Sequence, residues 1–87
     1  MSKEIKFTKH ALKQANDRGS KPEEITDTIL TGKLKSVKYN RFSAVKVFEY
    51  DEIWEGSLYK RKEVNVIFTE EDDRLIVITA IMRYFKD

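Results

Sequence analysis

A single histidine, His10, stands in a chain of 87 residues that has no cysteine. Its imidazole is the only side chain whose unperturbed pKa lies near neutrality. It falls in the first turn of a predicted helix, where it would be held firmly and could pass a proton. The plainer reading is an ordinary surface or half-buried histidine. Arg18 closes the same helix just before Gly19. An arginine there binds the carbonyls that the helix leaves unpaired, or offers its planar fork to a phosphate. Thr79 puts a hydroxyl in the middle of the most apolar strand, although threonine is also a good strand former.

Three basic groups lie at or near aromatic residues. Lys60-Arg61-Lys62 precedes the C-terminal hairpin and Arg83-Tyr84 ends it, while Tyr39, Arg41 and Phe42 form a similar group. Cations meet phosphates and rings stack on bases, so such groups suit a nucleic-acid strand. Lysine and arginine also guard edge strands against aggregation. There is no phosphate-cradling glycine loop, serine nucleophile motif or metal-ligand cluster. The acidic run Glu70-Glu71-Asp72-Asp73 lacks the spacing and glycine of a calcium loop and reads as a solvated turn. One histidine, some cations and some hydroxyls are poor equipment for redox or metal-dependent chemistry. They suffice for RNA cleavage, in which the 2′-hydroxyl is the internal nucleophile and the protein moves protons and stabilises charge.

The element that must position these residues runs from Glu63 to Phe85. Val64, Val66 and Phe68 alternate with Asn65, Ile67 and Thr69, and Leu75 to Ile81 follows the acidic turn. This pattern predicts an antiparallel hairpin. Its second arm is apolar on both faces and so reads as a central strand. Cover has to come from upstream. Lys3 to Phe7 reads as a short extended arm. Thr8 caps a helix over Lys9 to Asp17, whose Ala11, Leu12 and Ala15 lie on one side and which Gly19 ends. Ser20 or Lys21 caps a second helix, with Pro22 in its first turn and Glu23 and Glu24 at the positive end of its dipole. That helix runs to Leu30 or Thr31, presents Ile25, Ile29 and Leu30, and stops at Gly32. Leu34 to Tyr39 is a weak strand, Ala44 to Tyr50 a better one, and Ile53 to Tyr59 is ambiguous, with Gly56 marking a bulge or a turn. The fold class is therefore α+β: two N-terminal helices on one face of a twisted antiparallel sheet of about four strands.

Size bounds this to one small domain, residues 1–87, with little surplus stability. The segment from Met1 to Lys9 is polar and basic, and no apolar run approaches a membrane-spanning length, so a soluble cytoplasmic protein without cofactors is expected. The net charge is only +2, but residues 1–47 hold 11 Lys or Arg against 5 Asp or Glu, and residues 48–87 hold 6 against 10. The positive half could face phosphate, or a highly charged small protein could simply divide its surface unevenly.

Taken together, Phe7-Thr8-Lys9-His10-Ala11, Asp17-Arg18-Gly19, Glu23-Glu24-Ile25, Gly32 and Ile78-Thr79-Ala80 resemble the family known as domain of unknown function 4258. The likeness spans nearly the whole chain. The late segment, with an arginine followed by an aromatic in Arg83-Tyr84, also resembles the closing half of RelE-like toxins. Both point towards the small ribonuclease superfamily that includes barnase, EndoU, colicin and RelE domains. The resemblance implies His10 as proton donor or acceptor, Arg18 or Arg83 on the phosphate, and Thr79 as a hydrogen-bonding partner. Ser20 stands where the family would have an aliphatic, and Ile53 to Lys62 is longer and more polar than the shared pattern.

The expected function is a metal-independent, toxin-like RNA endonuclease. His10, Arg18, Thr79 and Arg83 would be catalytic, Lys60, Arg61, Lys62 and Tyr84 would hold RNA, and an acidic antitoxin or immunity protein would be the partner. The alternative is a non-catalytic module that holds a nucleic acid or a protein on the same sheet. The two separate on whether His10, the arginines and Thr79 converge on one concave surface.

Overall fold

A computed structural model describes residues 4–86; Lys3, the first residue of the expected arm, lies outside them. The elements are β1 (Glu4–Phe7), α1 (Lys9–Asp17), α2 (Pro22–Thr31), β2 (Lys33–Val37), β3 (Arg41–Trp54), β4 (Ser57–Glu71) and β5 (Arg74–Phe85). The strands form one sheet in the order β1-β5-β4-β3-β2. The α+β class stands, but the sheet has five strands and is mixed, because β1 runs parallel to β5 with Ile5 opposite Leu75 and Phe7 opposite Val77. The two helices occupy the β1-to-β5 connection. A crossover of that kind is what a parallel pairing requires, and the arm takes the place beside β5 through its two alternating apolar residues.

The helices begin and end as their signals dictate. The Thr8 hydroxyl accepts from the Ala11 amide at 3.0 Å, and α1 ends at Arg18 before Gly19 turns the chain at φ +80°. In α2 the Lys21 amide donates to Glu24 at 3.0 Å, with Pro22 in the first turn. Ala11, Ala15, Ile25 and Ile29 face the sheet and meet Ala44, Val64, Val66, Phe68, Val77 and Ala80 in the core. Leu12 and Leu30 do not join it; they are 43% and 60% exposed. Thr28 is fully buried instead, its hydroxyl satisfied by the Glu24 carbonyl one turn earlier at 2.7 Å.

Two tight turns join the long strands. Glu55-Gly56 links β3 to β4 and Asp72-Asp73 links β4 to β5, all four residues having positive φ. Positive φ at both central positions is the twist-matched hairpin geometry that Gly56 adopts freely. The ambiguous stretch Ile53 to Tyr59 is thus a turn between two long strands. β5 is not the central strand; β4 is. The apolarity of both faces of β5 has a local cause. The β4 pairing steps from Ile67 with Thr79 to Phe68 with Val77, leaving Ile78 as an extra residue. This bulge reverses the alternation, so Leu75 and Val77 point to the helices before it and Ala80, Met82 and Tyr84 after it.

Candidate functional site

The seam between α1 and β5 gathers the chemistry-bearing residues. β1 pairs with β5 only over 74–77, so past Val77 the outer edge of β5 has no strand beside it among the described residues. α1 runs along that edge. His10, Gln14 and Arg18 are spaced i, i+4, i+8, which stacks them as one row on the helix over about 12 Å. The hydroxyl of Thr79 donates to the side-chain carbonyl of Gln14, and Arg18 Nη1 donates to the carbonyl of Ala80 at 2.6 Å. His10 is exposed one turn before Gln14. Arg18 and Thr79 are therefore brought to one seam around Gln14, while exposed His10 shares the helical row with Gln14 but makes no hydrogen bond to it, to Thr79 or to Arg18.

The Arg18-Gly19 turn is fastened by side chains from two strands. Tyr84 Oη donates to the Arg18 carbonyl, and Lys62 Nζ donates to the Gly19 carbonyl at 3.2 Å. Lys62 is only 2% exposed and pairs with Glu24 at 2.8 Å, beneath the start of α2. Burial alone would raise the Glu24 carboxyl. The hydrogen bond and charge of Lys62, with the Lys21 amide and the Ser20 hydroxyl, outweigh it and hold the group below its ordinary 4.5. A Cβ on Gly19 would lie 2.6 Å from Trp54 Cζ3 and 2.8 Å from the Tyr84 oxygen. Only glycine fits, both for its backbone and for its space.

Against this turn sits an aromatic cluster with Tyr84 as its hub. Trp54 stacks on it at 5.2 Å between centroids and 16° between planes, and Tyr50 and Tyr59 meet it at 5.4 and 5.5 Å. The Tyr84 hydroxyl is pushed up to about 12, chiefly by burial and further by Tyr50, Glu24 and Glu55. An open groove of about 610 Å³ lies beside the cluster, lined by Asp17, Arg18, Trp54, Glu55, Tyr59 and Tyr84 among others. Arg18 and Tyr84 thus join the seam to the groove.

The remaining predicted residues lie elsewhere. Arg83 is exposed and stands 3.9 Å from Glu63 across the strands, on the sheet face turned away from the helices. Lys60 and Arg61 are exposed while Lys62 is buried. Consecutive strand residues point to opposite faces, so the three cations form no common patch. Gln14, Asp17, Trp54 and Tyr59 were not singled out from the sequence as site residues. Gln14 alone had a readable signal, its equal spacing of four from both His10 and Arg18.

With this geometry in view, the sequence can be compared with known families. The model of the family described as "Domain of unknown function (DUF4258)" matches residues 7–82, from the last residue of β1 to Met82 in β5. No curated protein and no solved structure matches the chain. The likeness to RelE-like and barnase-like ribonucleases gains no support from these comparisons.

Proposed function

The chain belongs to the family of domain of unknown function 4258, a name that asserts no activity, and from that premise we propose that it is a small endoribonuclease working at the seam between α1 and β5. The observation that carries this reading is the row His10, Gln14, Arg18 set against Thr79 and Ala80. On this reading the row sets His10, the side chain suited to proton transfer, one helical turn from an amide that holds the Thr79 hydroxyl and two turns from a guanidinium. His10 takes the proton of a ribose 2′-hydroxyl, and the 2′-oxygen attacks phosphorus. The bond from phosphorus to the 5′-oxygen breaks, and the departing oxygen is protonated by the imidazolium or by solvent. The products are a 2′,3′-cyclic phosphate and a 5′-hydroxyl. Gln14, held by Thr79, orients the imidazole or the ribose, and Arg18 supplies positive charge near the phosphate. No metal enters this scheme. The likeness to RelE-like toxins and an acidic cognate partner belong to the same proposal.

A second reading has its own observation. Arg18 Nη1 bonds Ala80 and Lys62 Nζ bonds Gly19 and Glu24, so the cations nearest the seam help hold the fold together. On this reading the protein binds RNA or a protein partner without cleaving it.

One assay separates the two. Purified wild type, His10→Ala and Gln14→Ala are incubated in EDTA with a labelled single-stranded RNA, and product ends and binding are followed together. Cleavage to 2′,3′-cyclic ends that falls about 100-fold or more in His10→Ala supports the nuclease. Equal cleavage by wild type and His10→Ala removes His10 from the chemistry. Binding with intact RNA throughout leaves the second reading.

A further inference from the structure

The helices cover one face of the sheet, and the other face has no element of the described chain upon it. The pairing register shows what stands there. One row across the strands reads Lys33, Val45, Asn65, Ile81, and the next reads Lys35, Ser43, Ile67. A further row holds Val47, Glu63 and Arg83, and another Glu49, Arg61 and Phe85. Aliphatic side chains stand among polar ones on this face: Val45, Val47, Ile67 and Ile81 lie around Asn65, Ser43 and Glu63. Val47, Ile81 and Phe85 are 52%, 41% and 40% exposed, although strand alternation normally turns polar residues to solvent.

The rim is uneven in charge. At the β2 end Lys33, Lys35 and Arg41 are all exposed, and no carboxylate stands in the rows they head. At the other end the acidic groups each face an arginine across the strands. Glu63 meets Arg83, and Glu49 lies opposite Arg61 in the register. Docked by this same face, a second copy would bring Glu49 and Glu63, each already opposite an arginine of its own chain. Single-stranded RNA would find phosphate partners, but among the described residues the strands of this face offer it one ring, Phe85, whereas stacking platforms for bases use several. Aliphatic side chains spread over three strands, with cations along one side, complement an amphipathic protein segment that carries apolar residues on one face and carboxylates beside them.

We propose that the open face of the sheet is the docking surface for an acidic amphipathic helix of a partner protein, seated on Val45, Val47, Ile67 and Ile81 with its carboxylates at Lys33 and Lys35. This surface lies on the side of the sheet away from α1, and the proposal stands whether or not the seam cleaves RNA.

The test uses two synthetic helical peptides with the same leucine face, one flanked by glutamates and one by lysines, and a 12-nucleotide oligouridine. Binding to the full chain is followed by anisotropy, and the site by backbone amide shifts. The glutamate peptide is expected to bind more tightly than the lysine peptide, to weaken with salt, and to shift the amides of β3, β4 and β5 rather than those of α1. The double change Lys33→Glu, Lys35→Glu should weaken it about tenfold or more, and Ile81→Asp should do likewise, each with an unchanged circular dichroism spectrum. Equal binding of the two peptides overturns the proposal. So does shift mapping to the helices, oligouridine displacing the glutamate peptide from the face, or sedimentation of the free protein as a dimer that hides these residues.

Discussion

Gly19 shows most directly how a single residue holds the site together. Its φ of +80° and the lack of room against Trp54 and Tyr84 act in the same direction. Gly19→Ala should therefore lower stability by about 1–3 kcal/mol in urea unfolding, and it should loosen Trp54, the only tryptophan, with a change in its fluorescence. Lys62 is the charged counterpart of this packing. Lys62→Ala leaves Glu24 without its main partner and should cost about 3 kcal/mol, more than Lys62→Met, which refills the space. Titration follows from the same contacts. The Glu24 carboxyl lies below its ordinary value in the fold, so its stabilisation is complete above pH 4.5 and is lost as pH falls through the folded value. Tyr84 behaves in the opposite sense. Its folded pKa of about 12 lies above the ordinary 10, so the protein keeps this contribution below pH 10 and loses it between 10 and 12. Urea midpoints measured across that alkaline range should fall for the wild type and fall less for Tyr84→Phe. That variant itself should be weaker by about 1 kcal/mol at neutral pH through loss of the bond to Arg18.

At the scale of elements, both helices were legible in the sequence because their signals are local. Thr8, Gly19, Lys21, Pro22 and Gly32 act within one turn of themselves, and the helix limits follow from them. The hairpin of β4 and β5 was legible for the same reason, since its alternation and acidic turn are contiguous. What the sequence did not display depends on partners far along the chain. Four residues of arm become a strand only because the edge of β5 is available, and the extra residue at Ile78 is visible only against β4. The buried state of Lys62 has the same origin, since a basic triplet reads as surface until α2 is placed over it. Half of the candidate site, the row from His10 to Arg18, follows from helical spacing. The aromatic cluster does not, because Trp54 and Tyr84 are 30 residues apart in sequence and meet through the sheet. The turns remain improvable. Asp72 and Asp73 both hold positive φ, which Asn-Gly adopts with less strain. The double change Asp72→Asn, Asp73→Gly should raise stability by about 0.5–1 kcal/mol by thermal or urea denaturation without affecting the seam.

Across the whole molecule the two faces of the sheet have different tasks. One carries α1 and α2, the fastened Arg18-Gly19 turn and the seam, and the other is left open with aliphatic side chains and an unmatched basic end. Among the described residues no helix is long and apolar enough to cross a membrane. The parallel pairing of Glu4–Phe7 with Arg74–Val77 has a consequence for how the protein is made. α1 rests on β5, and the strand order puts the last strand synthesised between the first strand and the rest of the sheet. During synthesis, the arm and α1 leave the ribosome long before β5 does, and contacts between distant segments form late and slowly. Until that strand emerges, the seam with His10 has no second wall. A ribosome-bound chain stalled before Arg74 should therefore carry His10 without the geometry around it, so any activity of the seam arises only once the full sheet has closed.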